Sequence, residues 1–442
     1  MLLSKLKVGA VCLGLFSLVA CGEHAPADNE IIFWHAFSGN LGKSLNEIVN
    51  EFNRKHPELK VKAINKGSYE ETLNAGIAAF RSNSAPDILQ VYEVGTATMM
   101  HAGDITKSID ELMKSAGVPL DSKKFLAAIS VYYSDNKGKL LSLPFNSSTP
   151  VFYYNKDAFK QAGLDPQSPP KTLEEVKKIS AKIMARKSGS INCGLTVSWP
   201  AWVLIENGSA RNNALYATKN NGFGGLDARI TLKHPYYRKI LTDLSEMSKD
   251  RRFVYGGRGD KPSELFTTGQ CAMLIDSSGS YADIKANSKF NFSVSSLPYY
   301  ASLGRPKNSI IGGASLWVFS GKTPKKYQAI ATFLNYLSSP EVVAKWHQQT
   351  GYIPVTKAAY ELSKKQGFYQ SNPQAEVPIQ QLNAGNSIKK GIRLGNLPVI
   401  RDLEDGELEK VFNHQITPEQ AIKNIENSAN AKLKEFEETQ KK

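Results

Sequence analysis

Only four cysteines occur among 442 residues, and Cys12 and Cys21 stand in the first 21. That leaves Cys193 and Cys271 for the folded part, too few for a disulfide scaffold or a thiolate metal cluster. They form one disulfide in an oxidising compartment, or they stay as two buried thiols; the sequence leaves both open. Seven histidines are scattered without an HExxH pair, and there is no GxSxG elbow, aspartate-rich metal motif or GxxxxGKS/T phosphate loop. These absences remove the usual apparatus of metal-assisted hydrolysis, acyl transfer and nucleotide hydrolysis, so an enzyme is not expected, nor a metal or cofactor. After Ala20 no apolar run approaches spanning length. No internal repeat or low-complexity tract occurs. The formal charge of +14 falls to +12 once Lys5 and Lys7 are removed, and its many acids are interspersed. Nucleic acid is therefore not an expected partner, while anionic ligands or surfaces are mildly favoured. The tripeptide Arg258-Gly259-Asp260 lies in a Gly-rich loop and is too short to argue adhesion.

What is present begins at the first residues. Lys5 and Lys7 precede the apolar run Val8–Ala20, which is too short to cross a hydrocarbon core of roughly 30 Å. Residues 1–20 read as a secretory signal. The run ends Leu18-Val19-Ala20-Cys21-Gly22, the pattern of a lipoprotein processing site, at which the Cys21 thiol takes a diacylglycerol. Two acyl chains and an N-acyl group hold a protein on a membrane where one chain is marginal. Residues 21–29 are then a lipidated tether, and the location is periplasmic or otherwise extracytoplasmic, anchored through Cys21.

Roughly 420 residues follow, more than one core usually holds, so two lobes are expected. Ile31–His35 reads as a short strand. Leu45, Ile48, Val49 and Phe52 then fall on one helical face that Pro57 ends. Leu59, Val61 and Ala63 alternate as a strand, a helix spans Tyr69–Arg81, and an apolar run carries Ile88, Leu89, Val91 and Tyr92. This succession predicts a parallel α/β sheet, whose ligand crevice lies at the carboxyl ends of its strands. Trp34, His35, Gly67, Ser68, Tyr69 and Glu93 stand there. Leu143–Tyr154 reads as one extended stretch, with the second lobe starting near its end. Residues 197–225, rich in Trp, Asn and Gly, read as an irregular binding-side region. Phe290–Pro298 and Ile310–Phe319 read as strands.

Five stretches carry a more specific signal: KGSYEETLNAGIAAFRSNSAPDILQVYEVGTATMM (66–100), PFNSSTPVFYYNKDAF (144–159), IIGGASLWV (310–318), WHQQTGYIPVTKAAY (346–360) and KKGIRLGNLPVIR (389–401). In order and length they resemble the glycerol-3-phosphate-binding proteins of ABC importers, within the maltose-binding type of solute-binding protein. The resemblance implies an α/β, two-lobed periplasmic-binding-protein fold (type II) with an interlobe ligand cleft. It implies lobe I at 30–148 and 303–340, lobe II at 149–302 and 341–442, and hinges near 148–150 and 301–312. It also implies a ligand set of Tyr69, Glu93, Ser148, Ser277, Gly313, Tyr352 and Arg401. The implied ligand is glycerol-3-phosphate or a glycerophosphodiester such as glycerophosphocholine. The implied partners are permease subunits served by a cytoplasmic ATPase.

That set suits a phosphate ester. Its acceptor oxygens want a guanidinium fork and hydroxyl or backbone donors. Arg401, Ser148, Ser277, Tyr352 and the amide of Gly313 supply these, while Glu93 would repel phosphate and is assigned to the glycerol hydroxyls. Tyr69 packs on the carbon chain or donates its hydroxyl. Arg401→Ala is expected to abolish binding with little loss of stability; Arg393 is its rival for the phosphate. Trp34, Trp199 and Trp202 are candidates for an aromatic wall that stacks on glycerol or cages a quaternary ammonium group. Leu173 and Arg211 stand where relatives commonly carry aromatic residues, which bears on the choice between the two headgroups. A sugar or oligosaccharide ligand is the alternative, because the fold and a cleft of Trp, Glu and Arg would serve it too.

Overall fold

The computed structural model describes residues 27–118, 120–186, 191–384 and 391–441, so the signal segment and Cys21 lie outside the described residues. Among the described residues ten strands form two sheets. The first holds β1 (Glu30–His35), β2 (Lys60–Asn65), β3 (Ile88–Tyr92), β4 (Thr106–Lys107), β5 (Leu143–Ser148) and β10 (Gly312–Phe319). The second holds β6 (Pro150–Asn155), β7 (Cys193–Val197), β8 (Cys271–Ser277) and β9 (Phe292–Ser296).

In the first sheet the order is β2-β1-β3-β10-β4, with β5 also paired to β10. β1, β2 and β3 run parallel, as the strand-helix-strand succession requires, and β10 runs antiparallel to its neighbours. The helix Gly39–Lys55 buries Leu45, Ile48, Val49 and Phe52, its expected apolar face. The helix Tyr69–Arg81 starts at a reciprocal cap: Glu71 N donates to Ser68 Oγ at 3.2 Å, and Ser68 N donates to the Glu71 carboxylate at 2.6 Å. This fixes Tyr69 at the first position of the helix, one residue beyond the strand-end turn. The second sheet runs β7-β8-β6-β9, with β7 and β8 parallel and β6 antiparallel to both its partners. Cys193 and Cys271 face each other in that parallel register and form a disulfide.

The stretch read as one extended segment, Leu143–Tyr154, is two strands in different sheets: β5 ends at Ser148, β6 begins at Pro150, and Thr149 alone lies between them. The chain returns between β9 and β10. The expected assignment of residues from 341 onward to the second lobe requires correction. Val342, Val343, Trp346, Tyr352, Ile353, Val355, Ile379 and Leu382 pack in one core with Phe33, Phe37 and Phe145 of the first sheet. The physical reason is the two-residue link Ser338-Ser339, which folds the helix Pro340–Thr350 back beside Pro324–Leu337. Trp346 then stacks on Phe145 and Tyr352 inside that core. Val377 touches the second sheet, packing against the cluster of Val151, Tyr153 and Leu274, and from Ile392 the chain joins the large second core, where Leu397, Ile400 and Leu408 pack with Tyr236 and Ile240.

Candidate functional site: an interlobe cleft

A cleft of about 530 Å³ opens between the two sheets, lined by the ends of strands from both. Ala36 to Gly39 follow β1, Gly67 to Tyr69 follow β2, Glu93 follows β3, Ser148 ends β5 and Ser277 ends β8. The carboxyl-end rule thus locates the site. The cleft brings together all seven residues of the expected ligand set, Tyr69, Glu93, Ser148, Ser277, Gly313, Tyr352 and Arg401, with Trp199 and Trp202 beside them.

One wall is a hydrogen-bonded chain of the first lobe. Ala36 N donates to Gln90 Oε1 at 2.8 Å, Gln90 Nε2 to Asn146 Oδ1 at 2.9 Å, and Asn146 Nδ2 to Tyr69 Oη at 2.9 Å. Tyr69 Oη lies 3.3 Å from Tyr352 Oη. Tyr69 is stacked on Tyr92 with ring centroids 5.6 Å apart and Tyr352 on Trp346 at 5.8 Å, so both hydroxyls are held in place by packing as well. Burial, with Tyr352 adding to it, pushes the Tyr69 hydroxyl well above its ordinary range, so it stays a neutral donor. Gly313 sits at φ +92°, and a Cβ there would stand 2.0 Å from the Asn146 carbonyl. Only glycine lets β10 approach β5 this closely at the cleft floor.

The opposite wall comes from the second lobe. Trp199 holds φ +51°, rare for a bulky residue, and is tied by its N–H to the Gly259 carbonyl at 2.7 Å. The segment Ala201–Asn207 that follows is a π-helix, a form that concentrates at functional sites. Its Trp202 lies against Gly312, where a Cβ would meet the indole at 2.4 Å, and its buried Nε1 has no hydrogen-bond partner among the described residues. Ser277 Oγ accepts from Gly279 N at 3.0 Å.

Arg401, in the first turns of the helix Leu397–Phe412, has a side chain 12% exposed and is bonded to carboxylates of both lobes. Its Nε donates to Glu206 Oε1 at 2.7 Å, and its Nη2 donates to Glu206 Oε2 at 2.8 Å and to Glu93 Oε1 at 2.7 Å. Nη1 has no such partner among the described residues. The arrangement corrects the expectation of a free guanidinium fork: the Nε–Nη2 edge is taken by Glu206, Glu93 bonds to the same Nη2, and Nη1 remains. Burial opposes the Arg401 charge, but Glu206 and Glu93 more than offset it. Burial pushes Glu93 up despite Arg401. Behind Arg401, burial raises Glu404 far above the carboxylate range and lifts Asp405 to about 6.

Trp34 does not join the cleft. Alternation along β1 puts it on the face opposite His35, where it packs near Leu73 and Leu89 under the Lys66 ammonium, 4.0 Å from the ring centroid. Arg393 is spent elsewhere, its Nη1 donating to the Ser134 carbonyl at 2.7 Å. Leu173 and Arg211 are not among the lining residues either; Arg211 is buried with its Nε on the Leu297 carbonyl at 3.1 Å. Arg258 pairs with Asp402 and Glu409, while Asp260 of the same tripeptide lines the cleft. Sequence reasoning missed Glu206, Asn146, Asp260 and Asp283. Glu206 had a signal: it is the one charge in Trp202-Val203-Leu204-Ile205-Glu206, and a carboxylate inside an apolar run needs a buried partner.

Residues 47–377 match the model of the family described as bacterial extracellular solute-binding protein. The chain is 47% identical to the sn-glycerol-3-phosphate-binding periplasmic protein UgpB of Pectobacterium atrosepticum, over 99% of this chain and 98% of that one. It is equally identical to UgpB of Shigella flexneri serotype 5b, over 98% of each. In structure it is similar to UgpB from Mycobacterium tuberculosis in complex with glycerophosphocholine, with a TM-score of 0.79, 22% identity and 93% and 99% of the two chains covered. It is also similar to the GacH receptor of Streptomyces glaucescens, with a TM-score of 0.76, 18% identity and 92% and 99% covered. Two α/β lobes, a cleft at the strand ends and relatives matched over nearly their full length lead to one conclusion: the chain belongs to the bacterial extracellular solute-binding proteins.

Proposed function

We propose that this chain captures a glycerol phosphate ester, glycerol-3-phosphate or a glycerophosphodiester, in the interlobe cleft and delivers it to the permease subunits of an ABC importer. The observation that carries this reading is the donor set at the cleft. Arg401 Nη1, the Ser148 and Ser277 hydroxyls and the Tyr69–Tyr352 pair stand beside the N-terminus of the helix Gly39–Lys55. Ser38 makes no side-chain cap there and the first turn carries no acid, so its N–H groups and the helix dipole face the cleft, at an end that Asp283 also approaches, accepting from Asn40 Nδ2 at 2.6 Å. Glu93, through the oxygen not engaged by Arg401, suits the glycerol hydroxyls, and Trp199 and Trp202 suit its carbon chain or a headgroup. The curated relatives named above are glycerol-3-phosphate-binding proteins, and the structural relative from Mycobacterium tuberculosis holds glycerophosphocholine.

Each sheet with its helices acts as a lobe, and a ligand that touches both favours the closed state by its differential contacts. Cys21 carries the lipid that keeps the protein at a membrane outside the cytoplasm, from which it reaches the permease. Isothermal titration of the chain from residue 22 with glycerol-3-phosphate, glycerophosphocholine and maltose tests the reading. Heat with either phosphate ester and none with maltose is expected; the reverse pattern would move the chain to the oligosaccharide binders.

A further inference from the structure

Away from the cleft, a second cavity of about 640 Å³ lies where the two lobes meet, and its lining shares no residue with the cleft. Phe125, part of the first core, and Val131 reach it from one side. Phe223 and Arg393 reach it from the other, where Arg393 N donates to the Asn221 carbonyl at 2.9 Å in the loop that leaves Ala217 of the second core. The lining holds three cations, Lys123, Lys357 and Arg393, against one carboxylate, Asp135. Asp135 is already engaged, its Oδ1 accepting from the N–H groups of Lys137 at 2.8 Å and Lys139 at 2.9 Å.

Arg393 contrasts with Arg401. Its Nη1 donates to the Ser134 carbonyl at 2.7 Å and the Tyr132 carbonyl at 3.3 Å, and its Nη2 to Asn136 Oδ1 at 3.2 Å, so its partners among the described residues are neutral oxygens. Nε, on the edge that Arg401 gives to Glu206, has no partner among them. The Phe223 ring covers one face of the guanidinium, 4.3 Å from its centroid. Burial lowers the Arg393 pKa, with Tyr132 and Asp135 opposing it, whereas the two carboxylates on Arg401 raise that one. A half-buried guanidinium without a carboxylate lacks a counter-charge. Lys357 adds to the deficit: it is the first residue of the helix Lys357–Lys365, where the dipole opposes a cation and the first turn carries no acid. Apolar surface lies beside these charges, for Val131 is 39% exposed and lines the cavity with Phe125 and Phe223. A volume in the range of about 300–1,000 Å³ suits a ligand with a body, not a bare ion.

We propose that this cavity is a second ligand site, for an oxyanion carried on a short apolar body, such as an alkyl phosphate. The head pairs with Lys123, Lys357 and Arg393 through charge-assisted hydrogen bonds, and the body lies along Phe125, Val131 and Phe223. Both lobes contribute cations, so an occupant adds contacts made only when the lobes are together. Calorimetric titration of the full chain, with the cleft saturated by glycerol-3-phosphate, tests the site with hexyl phosphate and inorganic phosphate as probes. One equivalent of hexyl phosphate is expected to bind, with inorganic phosphate weaker by about tenfold, the factor that burying two methylenes gives. Lys123→Ala combined with Lys357→Ala removes two exposed side chains outside the cleft. The double variant should weaken hexyl phosphate by about tenfold or more and leave glycerol-3-phosphate affinity and melting unchanged. Equal binding of hexyl phosphate by the double variant would place the probe elsewhere and overturn the inference, as would silence in the unaltered protein or equal affinity for the two probes. If glycerol-3-phosphate itself does not bind, only the reading of the cleft fails. Hexyl phosphate is then titrated into the free chain, and its dependence on Lys123 and Lys357 decides the second site.

Discussion

Arg401 stands one positive charge against two carboxylates within 2.8 Å, and this decides what its removal does. The sequence suggested that Arg401→Ala would remove binding at little cost in stability. Deleting the guanidinium instead strands Glu93 and Glu206 in a buried site. Breaking a buried pair in this way costs about 3–5 kcal/mol, so urea unfolding should show a loss of that order together with loss of ester binding. Asp276, next to Ser277, gives a cleaner pH signal. Burial lifts it to about 7, against the pull of the Ser263 hydroxyl and the Ser277 N–H. Its folded value lies above its unfolded one, so its contribution is full at about pH 4 and declines as pH rises to about 7, by about 1.4 kcal/mol per pH unit. Comparing unfolding midpoints of the wild type with those of Asp276→Asn across that window isolates the slope; parallel curves would count against it. Gly313→Ala forces a Cβ toward the Asn146 carbonyl at φ +92°. It should destabilise by about 1–3 kcal/mol and weaken ligand affinity, as thermal unfolding and titration would show.

At the scale of elements, the periodic signals were legible and the tertiary ones were not. Leu45, Ile48, Val49 and Phe52 announced their helix, because a 3.6-residue repeat is local information. The alternation of β1 could equally have warned that Trp34 and His35 lie on opposite faces; aromatic character alone overrode it. Residues 197–225 read as irregular, and they contain a π-helix that puts Trp202 and Glu206 to work together, a register that no local pattern announces. The placement of 341–382 failed because the lobe to which a helix docks depends on a two-residue turn and a distant partner, Phe145 for Trp346. The cysteines were undecidable from composition, and the parallel register of β7 and β8 resolves them. Cys193→Ser with Cys271→Ser releases a loop of 78 residues' separation, which should lower stability by about 2–4 kcal/mol. Melting of the wild type with and without reductant reads the same difference; an unchanged midpoint would assign the bridge no stabilising role.

For the whole molecule the question is where two lobes turn against each other. Three chain crossings join them, at Thr149, between β9 and β10, and between Leu382 and Ile392. Gln381, 2% exposed, sits at their junction. Its Nε2 donates to the Pro150 carbonyl at 2.8 Å, Ser309 Oγ at 3.1 Å and Thr149 Oγ1 at 3.2 Å, and its Oε1 accepts from Leu297 N at 2.6 Å. One amide therefore ties all three crossings. Elsewhere the lobes meet through bonds that a rotation would break: Arg401 to Glu93, and Arg393 to the carbonyls of Tyr132 and Ser134. Bonds at an axis survive hinge motion and bonds far from it do not, so Gln381 and Arg393 should behave oppositely. Arg393→Ala removes these contacts to the other lobe, together with its packing over Phe223; it should expand the radius of gyration in solution scattering and weaken ligand binding several-fold, with a smaller loss of melting temperature than Gln381→Leu. Gln381→Leu leaves Leu297 N and Ser309 Oγ without this partner in a buried knot, which should lower stability by about 1–3 kcal/mol while the open and closed populations stay close to their original ratio. If Gln381→Leu instead opened the molecule as Arg393→Ala does, the axis would lie elsewhere, and the amide would belong to the closed interface.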